Sequence, residues 1–157
     1  MTLDKQLQVI IDDAENHGVP TVVAEKAIAP VLRSFAEQLQ HLEYYVLQNL
    51  GSDWVLTTIM NPQLQQEKKV IYGFVSVQDA ATFQGLANPD AIAMPIPVVQ
   101  LLFRLFSLQQ VDSIIFLENS QNLNYGVEIE RDRLLQLIQQ QLEQFRKIPP
   151  NFPPNIV

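Results

Sequence analysis

The sequence predicts a mixed α/β fold: a sheet of parallel and antiparallel strands packed by helices, preceded by a helical N-terminal section. Three observations carry this expectation. Residues 70–117 alternate short β-branched or aromatic runs with stretches of helical spacing, the pattern of β-α-β units, whose connections lay helices on the sheet faces. Hairpin-like pairs of apolar runs flank that stretch on both sides. Residues 2–42 instead keep their apolar positions at a helical period.

Thr2 is suited to cap a first helix with Leu3, Leu7, Ile10, Ile11 and Ala14 along one side. Gly18 and Pro20 mark its end. A second helical pattern opens at Thr21 and runs through Ile28, Val31, Leu32, Phe35, Leu39 and Leu42. Pro30 lies inside it, where a missing N–H and a ring clash cost about 3 kcal/mol. A break near Ala29, with Pro30 at the first position of the longer piece, relieves that cost.

The period then changes. Residues 43–47 and 54–60 read as strands joined across Asn49, Gly51, Ser52 and Asp53 in a hairpin, and 63–68 reads as a surface loop. Residues 70–75 form the next strand. Ser76-Val77-Gln78-Asp79 has capping-box spacing for a helix that Gly85 stops. After a turn at Asn88-Pro89-Asp90, residues 91–94 read as a short buried strand. Pro95-Ile96-Pro97 leads into a helix from Val98 to about Leu108.

Residues 111–117 are a strand, 119–122 a turn, and 124–129 a returning hairpin partner. A last helix covers about 131–146, with Leu135, Ile138, Leu142 and Phe145 on one face. The organisation expected is one globular domain over 1–148, with a helical section over about 2–42 and a sheet-containing part over about 43–146. A Pro-rich tail, 149–157, is extended, near polyproline II.

Composition limits the functional classes. Of 157 residues, 17 are Asp or Glu and 10 are Lys or Arg, a net charge of −7. The basic residues are scattered, with local pairs only at Lys68/Lys69, Arg131/Arg133 and Arg146/Lys147, so nucleic acid is not an expected partner. The chain has no cysteine, which removes disulfides, thiolate catalysis and thiolate-bound metals. No apolar run approaches the ~20 residues a membrane span needs, and no secretory pattern opens the chain. These features predict a cytoplasmic, acidic protein that is not bound to a membrane.

Tyr72 to Gln140 resembles the SseB-like N-terminal domain, named for the enhanced serine sensitivity protein. The resemblance lies in a strand ending Phe74-Val75-Ser76, a helix with Asp79-Ala80-Ala81 and an Ala-rich strand. A helix with Val99-Gln100-Leu101-Leu102, the strand Val111-Asp112-Ser113-Ile114-Ile115-Phe116, and a helix after Val127-Glu128-Ile129 complete it. Members often carry Asn-Pro after the equivalent of Ile115, where this chain has Phe116-Leu117. The resemblance implies an α/β fold and no defined enzymatic activity, and it transfers no site residue.

No catalytic kit emerges from the residues themselves. His17 precedes Gly18 at a helix end, where a cation complements the dipole. His41 has no second histidine at zinc-binding spacing. Asp12, Asp13 and Glu15 read as a solvated face, and Glu128, Glu130 and Asp132 as first-turn charges of the last helix. With no phosphate loop and no nucleophile elbow, neither a cofactor nor a metal is expected.

Binding is the better-supported class. The stretch Val98-Val99-Gln100-Leu101-Leu102-Phe103-Arg104-Leu105-Phe106 is apolar almost all round and must be covered on more than one side. One side can face a partner or a second copy of the chain. The expected function is a non-catalytic protein-interaction or adaptor module, homodimeric, with Phe103, Phe106 and Phe152 as anchors and Trp54 in a pocket or the core. The alternative is a small-ligand protein or enzyme with a cleft at the carboxyl ends of the parallel strands, near Ser76, Pro95 to Pro97, Glu118 and Asn119.

Overall fold

The computed structural model describes residues 1–84, 90–119 and 126–147, apart from the side chains at 84, 146 and 147. The Gly85 stop, the turns at 88–90 and 119–122 in most of their length, and the tail with Phe152 lie outside the described residues.

Helix α1 covers Leu3–Asp13, and Thr2 caps it by accepting a hydrogen bond from Lys5 N–H at 3.2 Å. A 3-10 turn, Ala14–His17, continues it and ends at Gly18. There φ is +77°, a left-handed value that glycine adopts without the cost of a Cβ.

From Thr21 to Glu37 the chain is helical in three pieces: α2 (Thr21–Val23), a π-helical turn (Ala24–Ile28) and α3 (Ala29–Glu37). The break expected near Ala29 is thus a change of helical pitch. Pro30 has no N–H to offer the carbonyl four residues back, and Ala29 N–H bonds Ala24 five residues back. The helix stops at Glu37, short of the expected Leu42. Leu39 is still buried, but Leu42 is 47% exposed, and its carbonyl accepts from Val98 N–H at 2.9 Å at the sheet edge.

Among the described residues six strands form one sheet: β1 (Glu43–Gln48), β2 (Thr57–Asn61), β3 (Gln66–Phe74), β4 (Ile92–Pro97), β5 (Ser113–Leu117) and β6 (Val127–Glu130). The order is β4-β1-β3-β5-β6, with β2 paired to the first half of β3. Only β3 and β5 pair in parallel, so the sheet is mixed as the sequence predicts.

Two helices make the crossovers: α4 (Val77–Gln84) between β3 and β4, and α5 (Val98–Leu105) between β4 and β5. Helix α6 (Arg131–Lys147) comes after β6. Asp79 N–H donates to Ser76 Oγ at 3.1 Å, the cap expected for α4. The outward crossover runs over one sheet face and the return over the other, which keeps one hand for both.

The strand period of two divides the side chains between two faces. Tyr44, Val46, Ile71, Ile114, Phe116 and Ile129 meet α1, α3, α5 and α6 in the main core. Leu47, Phe74 and Leu117 meet Ala80 of α4 on the opposite face. Gly73 lies beneath the contact of the Tyr44 and Phe116 rings, whose centroids are 4.7 Å apart. A Cβ there would sit 3.2 Å from the Phe116 ring and 3.3 Å from Tyr44 Cβ.

Three strand expectations change. The run at 54–60 does not return along β1. Trp54 makes one bridge to Gln48, held by a turn in which Asn49 Oδ1 accepts from Gly51 and Asp53 N–H. The chain then pairs β2 with β3 across a second Asn-nucleated turn, in which Asn61 Oδ1 accepts from Gln63 and Leu64 N–H and Gln65 has φ +51°. The expected loop at 63–68 is therefore a short turn, and β3 starts at Gln66.

The expected buried strand at 91–94 is instead an edge strand that extends through Pro97, with Ile92 55% and Met94 41% exposed. Its register with β1, together with the Val98 N–H to Leu42 bond, turns the N–H groups of Ile92, Met94 and Ile96 toward β1. Pro95 and Pro97 fall on the alternate, outward positions, where an edge strand tolerates proline.

Helix α5 is pinned at both ends. Val98 N–H bonds Leu42 O, and Val99 N–H donates to Gln6 Oε1 at 3.0 Å, while Gln6 Nε2 donates to Leu42 O at 2.9 Å. At the other end Arg131 Nε and Nη2 donate to the carbonyls of Leu105 and Phe106, including Nη2 to Phe106 O at 2.6 Å. A cation there also complements the helix dipole. The helix ends at Leu105, three residues short of expectation.

Candidate functional site

The helix expected to present an apolar face does not do so. Val98, Val99, Leu101, Leu102 and Leu105 are buried, and Phe103 is 8% exposed, because α1, α3 and β4 of the same chain pack against α5. Phe106 is partly buried against the same core. Neither phenylalanine projects outward; both line grooves.

Two grooves meet at Phe103, Arg104 and His17. One, of about 250 Å³, opens toward α1 and Pro97 and includes Asp13. The other, of about 440 Å³, lies between α5 and α6 and is walled by Val19, Ile28, Phe106, Leu135 and Ile138. Phe103 fixes the shared ridge through edge-on contacts with His17 at 5.6 Å and Phe106 at 5.8 Å between centroids.

His17, at the helix end the sequence indicates, places Nε2 2.9 Å from Asp13 Oδ2. Asn16 Nδ2 donates to the other Asp13 oxygen at 2.6 Å, and these two bonds, Asn16 first, hold the Asp13 carboxyl below its ordinary range. Arg104 lies over the Trp54 ring, 4.2 Å from its centroid, and Trp54 is 7% exposed in the main core. Among the described residues no carboxylate pairs with Arg104.

The carboxyl ends of the strands are occupied differently from the expected cleft. Glu118 accepts from the Tyr44 hydroxyl and, at 2.7 Å, from Gln40 N–H. His41 N–H donates to the Tyr44 oxygen at 3.2 Å, and its ring stands edge-on to Tyr44. Burial, then the neighbouring Glu118, pushes the Tyr44 phenol well above its ordinary pKa. Ser76 serves as the α4 cap. Of the residues named for that cleft, Pro97 alone lines one of the grooves described above.

Glu128 and Glu130 lie in β6, not in the first turn of α6. Pairing with β5 puts Glu128 where Ser113 Oγ donates to it at 2.6 Å and Lys68 Nζ at 2.8 Å. Burial opposes ionisation of Glu128, but the Lys68 and Ser113 bonds outweigh it and hold the carboxyl below its usual range. The signal that points to this placement is the alternation of Glu128 and Glu130 about Ile129, a strand period.

Among the described residues no group of three or more His, Asp or Glu side chains could hold a metal ion. No described helix is long and apolar enough to cross a membrane. Compared with protein-family models, curated proteins and solved structures, the chain finds no match. Roles for its residues therefore rest on their own geometry.

Proposed function

We propose that the protein is a non-catalytic interaction module whose 440 Å³ groove receives an apolar side chain of a partner protein. The observation that carries this reading is the groove itself: Phe103, Phe106, Val19, Ile28, Leu135 and Ile138 make its walls, with polar groups few. Such a pocket in a packed scaffold is where binding energy concentrates. Phe103 and Phe106 act as walls, and the partner supplies the knob. Self-association through the groove belongs to the same reading, as does a relation to SseB-like domains. That relation expects the order β3-α4-β4-α5-β5-β6-α6, which the chain has.

A photo-crosslinking residue placed at Ser107, which lines the groove, and another at Gln63, in the distant β2–β3 turn, test the proposal in a cell extract. The expected result is a discrete crosslinked protein, or a crosslinked second copy, from position 107 only. Unlabelled wild-type protein competes it away, and a folded Phe106→Asp variant does not. Equal crosslinking at both positions, or equal competition by the variant, refutes the reading.

A further inference from the structure

We infer that the segment this groove selects is acidic: an apolar side chain with an Asp or Glu beside it, on a partner protein. The inference rests on the reading just proposed and concerns the charge of the occupant. It starts from where the carboxylates are. The chain carries 17 Asp and Glu against 10 Lys and Arg, and acids reach the linings of three grooves on its surface. Asp13 lines the 250 Å³ groove, Asp4 and Glu25 a groove between α1 and α3, and Glu67, Asp112, Glu130 and Asp132 a groove at the β2–β3 turn. The 440 Å³ groove has none; its charged or titratable lining is Arg104 and His17.

Arg104 is also held ready. Arg33 pairs with Asp4 and Lys68 with Glu128, and Arg131 is committed to the carbonyls at the end of α5. Arg104 instead stacks on Trp54 and has no carboxylate among the described residues. A guanidinium stacked on a ring keeps its edge N–H groups for a carboxylate, which it grips in a two-bond fork. The apolar walls beside it strengthen that attraction and penalise an ammonium in the same place.

Titration of the 15N-labelled protein with three fragments of one shape tests this: 3-phenylpropionate, 3-phenylpropanamide and 3-phenylpropylammonium. The amide signals of Val19, Phe106 and Ser107 are expected to shift with all three. The carboxylate should bind about three- to tenfold more tightly than the amide, and the ammonium most weakly. Arg104→Gln should abolish the difference and Arg104→Lys retain part of it. Arg33→Gln, on another groove, should leave it intact. Equal affinities, or a preference that survives Arg104→Gln, overturn the charge selection and leave the apolar groove standing. No shift at the groove with any fragment overturns both readings.

Discussion

Replacing Gln6 by methionine removes both hydrogen bonds of a side chain that is 4% exposed, and leaves the space it fills almost unchanged. The two bonds are not equivalent. Leu42 O loses the Gln6 Nε2 donor but keeps Val98 N–H at 2.9 Å, so it stays satisfied. Val99 N–H, in the first turn of α5, loses the acceptor found for it and is left buried. An orphaned buried donor costs about 1–3 kcal/mol, and the extra apolar burial of methionine offsets under about 1 kcal/mol of that. The expected loss is therefore about 1–2 kcal/mol, or a fall of about 2–8 °C in Tm for a chain of this size. Gln6→Glu separates the bonds: it keeps the acceptor at the helix N-terminus but sets a carboxylate against Leu42 O. It should destabilise more at neutral than at acid pH. Urea denaturation followed by circular dichroism reads both variants. A Gln6→Met protein within about 0.3 kcal/mol of wild type would refute the claim that this side chain ties α1 to α5.

Other substitutions probe the sheet and its polar ends. Gly73→Ala forces a methyl between the Phe116 ring and Tyr44 Cβ and should cost about 1–3 kcal/mol in chemical denaturation; an unchanged midpoint would show that the two rings yield. Because the Glu128 carboxyl is held below its ordinary value, its contribution is present above the unfolded carboxyl pKa, about 4.3, and is lost as pH falls through the folded value. Glu128→Gln should flatten the acid limb of a stability–pH curve, and an identical acid limb would contradict the Lys68–Glu128–Ser113 arrangement. The Tyr44 phenol is raised, so the unfolded chain ionises first and stability should decline above about pH 10. Absorbance at 295 nm should then show one more tyrosine titrating with unfolding in wild type than in Tyr44→Phe.

The parts of this fold that sequence reading recovers are those fixed by neighbours in the chain. The Thr2 cap, the Gly18 terminus and the Ser76 cap depend on contacts three or four residues away, and each appears where spacing places it. Partner choice at a distance is not legible in the same way. Asn49 and Asn61 both nucleate turns, and nothing local says that β2, which lies between them, pairs with β3 and not with β1. The partner of Glu128 escapes local reading for the same reason, since its lysine comes from a strand 60 residues earlier. Phe103 and Phe106 are legible as residues that matter, but the open side of an all-apolar helix is set by α1 and α6, which the helix itself does not encode.

Strand β4 bears on how copies of this molecule can meet. Its outward positions are Ala93, Pro95 and Pro97, so two of the three have no hydrogen to offer an incoming chain. Among the described residues the rim of the sheet is thereby blunted by imino acids. A crowded population of these molecules meets an interrupted ladder there. Strand-to-strand growth from that rim is therefore disfavoured by two missing donors.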